Sequence, residues 1–168
     1  MSLTRRLHIL LFGFSVLGLV ACGGTPTPKV KKPTVAKKPK TKVPGIPDAA
    51  SSAFQDGVAE LQKKPPNYRA AVDAFKKSVE AFDRYSVAWL NLAYSYERLG
   101  RHGDAADAYR KLIYKERVVD RTISLALGRA LLLSGKPDQG IIEFESVLRK
   151  HNKDLQARNN LAAAYLKK

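Results

Sequence analysis

Three leucines set the frame for this 168-residue chain. Leu92, Leu127 and Leu161 fall at intervals of 35 and 34 residues, and each is followed by a small residue, Ala93, Gly128 or Ala162. Three residues further on stand Tyr96, Leu131 and Tyr165. A second series interleaves with the first: Ala71, Ala105 and Gly140 each precede an aromatic, Phe75, Tyr109 or Phe144, by four residues. Spacings of three and four put side chains on one face of a helix. Small residues let two antiparallel helices approach closely, and large ones fill the space beside the contact. Each unit therefore reads as a helix pair that cannot bury its apolar stripe alone. The units must stack.

Helix ends are legible at Gly100 in "ERLGRHGDAA" and at Gly135 in "LLLSGKPDQG", again 35 residues apart. The pattern predicts helix pairs at 49–64 with 67–82, 86–99 with 102–116, and 121–134 with 137–151, then a single helix at 154–167. The segment "AWLNLAYSYERLGRHGDAADAY", Ala88 to Tyr109, resembles a tetratricopeptide repeat. Trp89, Leu92, Ala93, Tyr96, Gly100, Ala105 and Tyr109 occupy that family's signature positions. The resemblance implies an all-α fold, an α-solenoid of about three helix pairs plus a C-terminal single helix, over residues 48–168. It departs from the family in three places. The first unit lacks the Leu-Gly-Tyr run and inserts "KKPPNY" into its turn, the proline that often ends a repeat is absent, and an extra residue sits near Arg117 to Asp120.

Ahead of the repeats the chain changes character. Arg5 and Arg6 precede an apolar run, Leu7 to Val20, that leads to Cys22, the single cysteine. Fourteen residues fall short of the roughly 20 that span a bilayer as a helix. A basic start, a short apolar core and small exit residues read as a secretory signal over 1–21. "LVAC", Leu19 to Cys22, resembles a bacterial lipobox, which implies cleavage before Cys22 and lipid attachment to its thiol. Two or more acyl chains hold a protein stably on a bilayer without spanning it. Gly23 stands where an aspartate would retain the protein at the inner membrane under the enteric sorting rule. The implied place is thus the outer membrane of a bacterial cell envelope, facing the periplasm.

Residues 22–47 form the next segment. Between Gly23 and Pro47 stand six prolines and seven lysines, with no acid and no aromatic. Such a composition cannot bury enough apolar surface to offset the entropy of ordering, so it reads as a disordered linker. Extended as polyproline II at about 3.1 Å per residue, it reaches roughly 75 Å. Its lysines also suit an anionic surface, each contributing about 1 kcal/mol near an anionic bilayer, with peptidoglycan carboxylates as another acidic candidate.

The net charge of +15 does not point to nucleic acid. Setting aside the two arginines of the signal and the seven lysines of the linker leaves 21 basic residues against all 15 acids, or +6 for 48–168. Nor does the sequence point to an enzyme, a metal site or a cofactor. His8, His102 and His151 pair with no cysteine or acid at ligand spacing, and Glu143 and Glu145, two apart on a helix, face different ways.

Function is then expected from a surface. In tetratricopeptide repeats the first helix of each pair lines a groove that holds peptides or partner helices. Carried through this register, the groove positions are Val87, Leu90, Tyr94, Glu97 and Arg98 in the second unit. The third unit supplies Thr122, Leu125, Arg129, Leu132 and Leu133, and the last helix Gln156 and Asn159. Arg129 is expected to meet a partner's acid. The full set of basic and amide residues that clamps a chaperone's C-terminal carboxylate is absent, so the resemblance stops short of that subfamily. The implied function is a membrane-anchored scaffold or adaptor lipoprotein that binds protein partners in envelope assembly. Lipoproteins of this architecture include the pilotins of type IV pili, which assist the secretin, and adaptors of hydrolases or motility machinery. Those pilotins usually carry more repeats than three. An alternative is a lipoprotein that binds cell wall or anionic surface polymer through the Lys-rich arm.

The last helix, "LQARNNLAAAYLKK", reads as the first helix of a fourth pair. Its stripe Leu161, Tyr165 and Leu166 is expected either to turn inward as a cap or to stay outside as a docking patch.

Overall fold

The computed structural model describes residues 45–118 and 120–168. The signal over 1–21, Cys22 and the linker up to residue 44 lie outside the described residues. Those described form seven α-helices and no strand: α1 (Asp48–Gln62), α2 (Tyr68–Ala81), α3 (Ser86–Arg98), α4 (His102–Arg110), α5 (Arg121–Leu133), α6 (Pro137–Lys150) and α7 (Leu155–Lys167). Each packs mainly against its neighbours in sequence, α1 on α2 through to α6 on α7, with α5 also touching α7. Contact passed from each helix to the next is the signature of a solenoid.

The turns within the second and third pairs are copies of each other. Gly100 and Gly135 have φ of +72° and +79°, the left-handed conformation that a side chain disfavours. In both, the next residue's N–H reaches back to close the helix: Arg101 to the Tyr96 carbonyl at 3.0 Å and Lys136 to the Leu131 carbonyl at 2.9 Å. Helix starts are sealed by side chains. The Asn67 side-chain oxygen accepts from the Ala70 N–H, Asp120 from Thr122 and Ile123, and Asp154 from Ala157.

The extra residue expected near 117–120 is taken up earlier than the pattern suggests. After Arg110 the backbone widens into a π-helical turn at Lys111–Lys115, which holds one residue more per turn. Arg117 then turns left-handed at φ +53°. The second unit thereby regains register, and Asp120 caps α5.

The core runs the length of the stack. Phe54, Val58, Phe75, Leu92, Leu112, Leu127 and Leu131 belong to one buried cluster spanning α1 to α5. Leu125, Leu132, Ile141, Phe144, Val147, Ala157 and Ala164 form a second, joining α5, α6 and α7. In α7 the expected stripe divides: Leu161 packs against this second cluster, while Tyr165 and Leu166 stay exposed.

Candidate functional site

The junction between the first, second and third units gathers polar and aromatic groups that the core excludes. Tyr68 opens α2, and its ring meets Tyr94 of α3 edge-on, with centroids 6.2 Å apart. The guanidinium of Arg98, one turn further along α3, lies 5.2 Å from the centre of the Tyr68 ring. Such a contact holds a cation in place while leaving its donors to solvent. Burial, and then the neighbouring Tyr68 hydroxyl, push the Tyr94 phenol's pKa up. Arg98 itself is exposed and pairs with no described acid.

One step along, Glu97 of α3 meets Arg129 of α5 at 3.6 Å, each side chain 18% exposed. Burial raises the Glu97 pKa, partly offset by Arg129 and by a hydrogen bond from the Tyr109 hydroxyl. The Tyr109 phenol is driven far up by its own burial and by Glu97. Arg129, expected to wait for a partner's acid, already pairs with an acid of its own chain. The pair ties the first helices of two units together.

Two expected groove residues are corrected. Leu125 is 1% exposed and Leu132 9%, and both belong to the cluster with Ala157 and Ala164 of α7. Leu132 packs beside Gly140 of α6, and the shared cluster of α5, α6 and α7 takes up the positions that a ligand would otherwise use. Leu90 is half-buried against the main core. Val87 and Leu133 are exposed at 45% and 53%, as are Thr122 and Asn159, while Gln156 is half-buried. The structure thus brings together Tyr94, Glu97, Arg98 and Arg129. No hydrogen bond, ion pair or ring contact links Val87, Thr122, Gln156 or Asn159 to them among the described residues.

Tyr68 was not expected at this site. It is the last residue of the irregular "KKPPNY" insert and starts a second helix, whereas the family register looks only at first helices. Antiparallel packing supplies the missing signal, because it sets the start of α2 beside the end of α3. Elsewhere, an open depression of about 620 Å³ at the α6–α7 corner is lined by Arg121 and residues 150–156. Its Arg121 is taken up by Asp154, in an ion pair that holds the Asp154 carboxyl down to about 2. Glu143 and Glu145 accept hydrogen bonds from Tyr114 and Tyr165, at 2.8 and 3.3 Å. Among the described residues no group of three or more acidic, histidine or cysteine side chains is placed to hold a metal ion.

Residues 67–117 match the family model of the tetratricopeptide repeat. No curated protein matches the chain by sequence. Among solved structures, the chain resembles the first such domain of Spaghetti (RPAP3) bound to the HSP90 peptide SRMEEVD. The identity is 21% and the TM-score 0.58, over 70% of this chain and 91% of that one. The second domain of the human RPAP3 protein, in complex with the HSP70 peptide SGPTIEEVD, is 20% identical at TM-score 0.59, over 70% and 95%. The MamA protein is 25% identical at TM-score 0.54, over 62% of this chain and 56% of that one. The fold is that of tetratricopeptide-repeat domains.

Proposed function

We propose that this chain is a lipid-anchored scaffold of a bacterial cell envelope, which binds protein partners on the first-helix face of its repeats. Acylated Cys22 holds it to the outer membrane facing the periplasm, and the Lys- and Pro-rich arm carries the repeat domain away from the bilayer. The observation that carries the binding role is the junction of Tyr68, Tyr94 and Arg98. It offers aromatic surface beside an exposed cation that pairs with no acid among the described residues. An extended peptide with an apolar side chain next to an acid fits that chemistry: the apolar group lies on Tyr94 and the acid meets Arg98. Two of the structural relatives are bound to peptides ending in Glu-Glu-Val-Asp, which agrees with an acidic ligand for the fold. Catalysis plays no part in this role.

Affinity capture with the full chain tests it. Arg98→Glu should lose the partners that the wild type retains, with an unchanged melting temperature, because a solvent-facing substitution moves stability by under about 0.5 kcal/mol. Retention of the same partners by Arg98→Glu contradicts the binding role. The anchor is tested separately. Wild-type protein should carry acyl mass on Cys22, and Cys22→Ser should leave the membrane fraction; a wild-type Cys22 without acyl mass ends the lipoprotein reading.

A further inference from the structure

In each complete pair the first helix seats an aromatic ring from the second. A Cβ added at Gly57 would collide with the ring of Phe75, and one added at Gly128 with the ring of Phe144. Ala93 and Tyr109 hold the same positions in the second pair, and both are buried. The repeat interval puts Ala162 of α7 in the fourth seat, and Ala162 is exposed. Tyr96 and Leu131, three residues beyond their seats, are 7% and 1% exposed, but Tyr165 is 53% exposed. The inward contacts of α7 come from Ala157, Leu161 and Ala164. Its outer face is therefore a first-helix face with the ring seat unfilled by any described residue.

We propose that this face docks an amphipathic helix of a partner protein, one that carries Gly or Ala four residues before Phe or Tyr and an acid six residues after the small one. The filled seats define that helix. Ala71 and Phe75, Ala105 and Tyr109, and Gly140 and Phe144 meet the first three, and a Cβ at Gly140 would already stand 2.9 Å from the Gly128 carbonyl oxygen. Only a small residue allows that approach. The charge follows from the second pair, where Lys111, six residues after Ala105, lies 6.0 Å from the centre of the Trp89 ring. The repeat interval makes Arg158 the counterpart of Trp89. Arg158 donates to the Asn152 carbonyl but pairs with no described acid, so an acid at the Lys111 position complements it.

A second copy is a poor source of this helix. All three second helices already sit on their own seats, and a copy would bring the same cationic excess. The arm is no source either, since residues 22–44 hold five prolines and no aromatic. This surface flanks the core contacts of α7, on the side bearing Arg158, Ala162 and Tyr165, and does not depend on the junction at Tyr94.

The test uses a synthetic peptide with the sequence of residues 136–151 and Ser146→Glu, titrated against the full chain by fluorescence anisotropy. Saturable binding is expected, weakened at least tenfold by Ala162→Leu or Arg158→Glu in the protein and by Phe144→Ala in the peptide. Ala162→Leu should leave the melting temperature of the free protein unchanged. No saturable binding overturns the proposal. So does binding that ignores Ala162→Leu, since the peptide would then have displaced α6. Self-association of the chain that Ala162→Leu abolishes would also overturn it, by making a second copy the occupant.

Discussion

Leu90, Tyr94 and Glu97 of α3 and Leu125, Arg129 and Leu132 of α5 occupy the same three repeat positions, yet they meet different fates. In the second unit the set borders a polar junction, with Glu97 on Arg129 and Tyr94 on Tyr68. In the third unit the two leucines are buried in the cluster that joins α5 to α6 and α7, with Leu132 against Gly140. Register alone does not decide whether a position lines a groove. The residue at the position and the helices packed on it decide it: Glu97 stands where the third unit has Leu132, and that leucine is buried with α6 and α7. The third unit turns its surface into stability, and the second keeps a polar, aromatic surface open.

The largest effects should separate the two junctions. Phe144→Ala removes a fully buried ring, a change that typically costs about 3–5 kcal/mol, and Leu125→Ala about 2–5. Leu90→Ala, at a half-buried site, should cost about 1 kcal/mol. Urea unfolding of the three variants checks the order; a Leu90 cost equal to that of Leu125 would erase the distinction.

The repeat made much of this fold legible in the sequence. Leu92, Ala93, Tyr96 and Gly100 recur in register, so helix spans, turns and the small residue Gly128 that seats Phe144 follow from spacing, whereas the seat of Phe75 at Gly57 lies in the unit that lacks the run. The sealing of Leu125 was not legible, since it depends on how closely α6 and α7 pack over it, and spacing along the chain does not fix that distance. The Glu97–Arg129 pair joins residues on separate helices that become neighbours only once units stack. Tyr68 was hidden by an insert that breaks the period. The π-helical turn was equally hidden, because the sequence showed an extra residue without showing where the backbone would absorb it.

Smaller effects come from the two ion pairs, which should respond to pH in opposite senses. The Asp154 carboxyl is lowered from its usual 3.8 to about 2, chiefly by Arg121. A lowered carboxyl stabilises the fold above its unfolded value, and that contribution disappears as pH falls through the folded one. Asp154→Asn keeps a capping side chain, so it should cost up to about 1 kcal/mol at neutral pH and progressively less from pH 4 to pH 2. Burial instead raises the Glu97 pKa, so the folded state holds the Glu97 proton more tightly than the unfolded chain. Wild-type stability from this group therefore falls as pH rises from about 4. Glu97→Gln should be better tolerated at pH 7 than at pH 4. Thermal melts across that range check both trends, and parallel trends would contradict the contrast between the junctions.

The smallest effect on stability belongs to Leu133→Ser, within about 0.5 kcal/mol at an exposed position.

The most direct measurement is photo-crosslinking from two exposed sites in cells that natively carry the protein. A benzophenone side chain replaces Val87 on the first-helix face of the second unit in one strain, and Ile142 on the outside of α6 in the other. Exposures of 45% and 58% make the two sites equally accessible. Partner binding at the polar junction predicts a discrete protein adduct from Val87, lost when Arg98→Glu is added, and none from Ile142. Adducts of equal yield from both sites, or an Ile142 adduct alone, would contradict it.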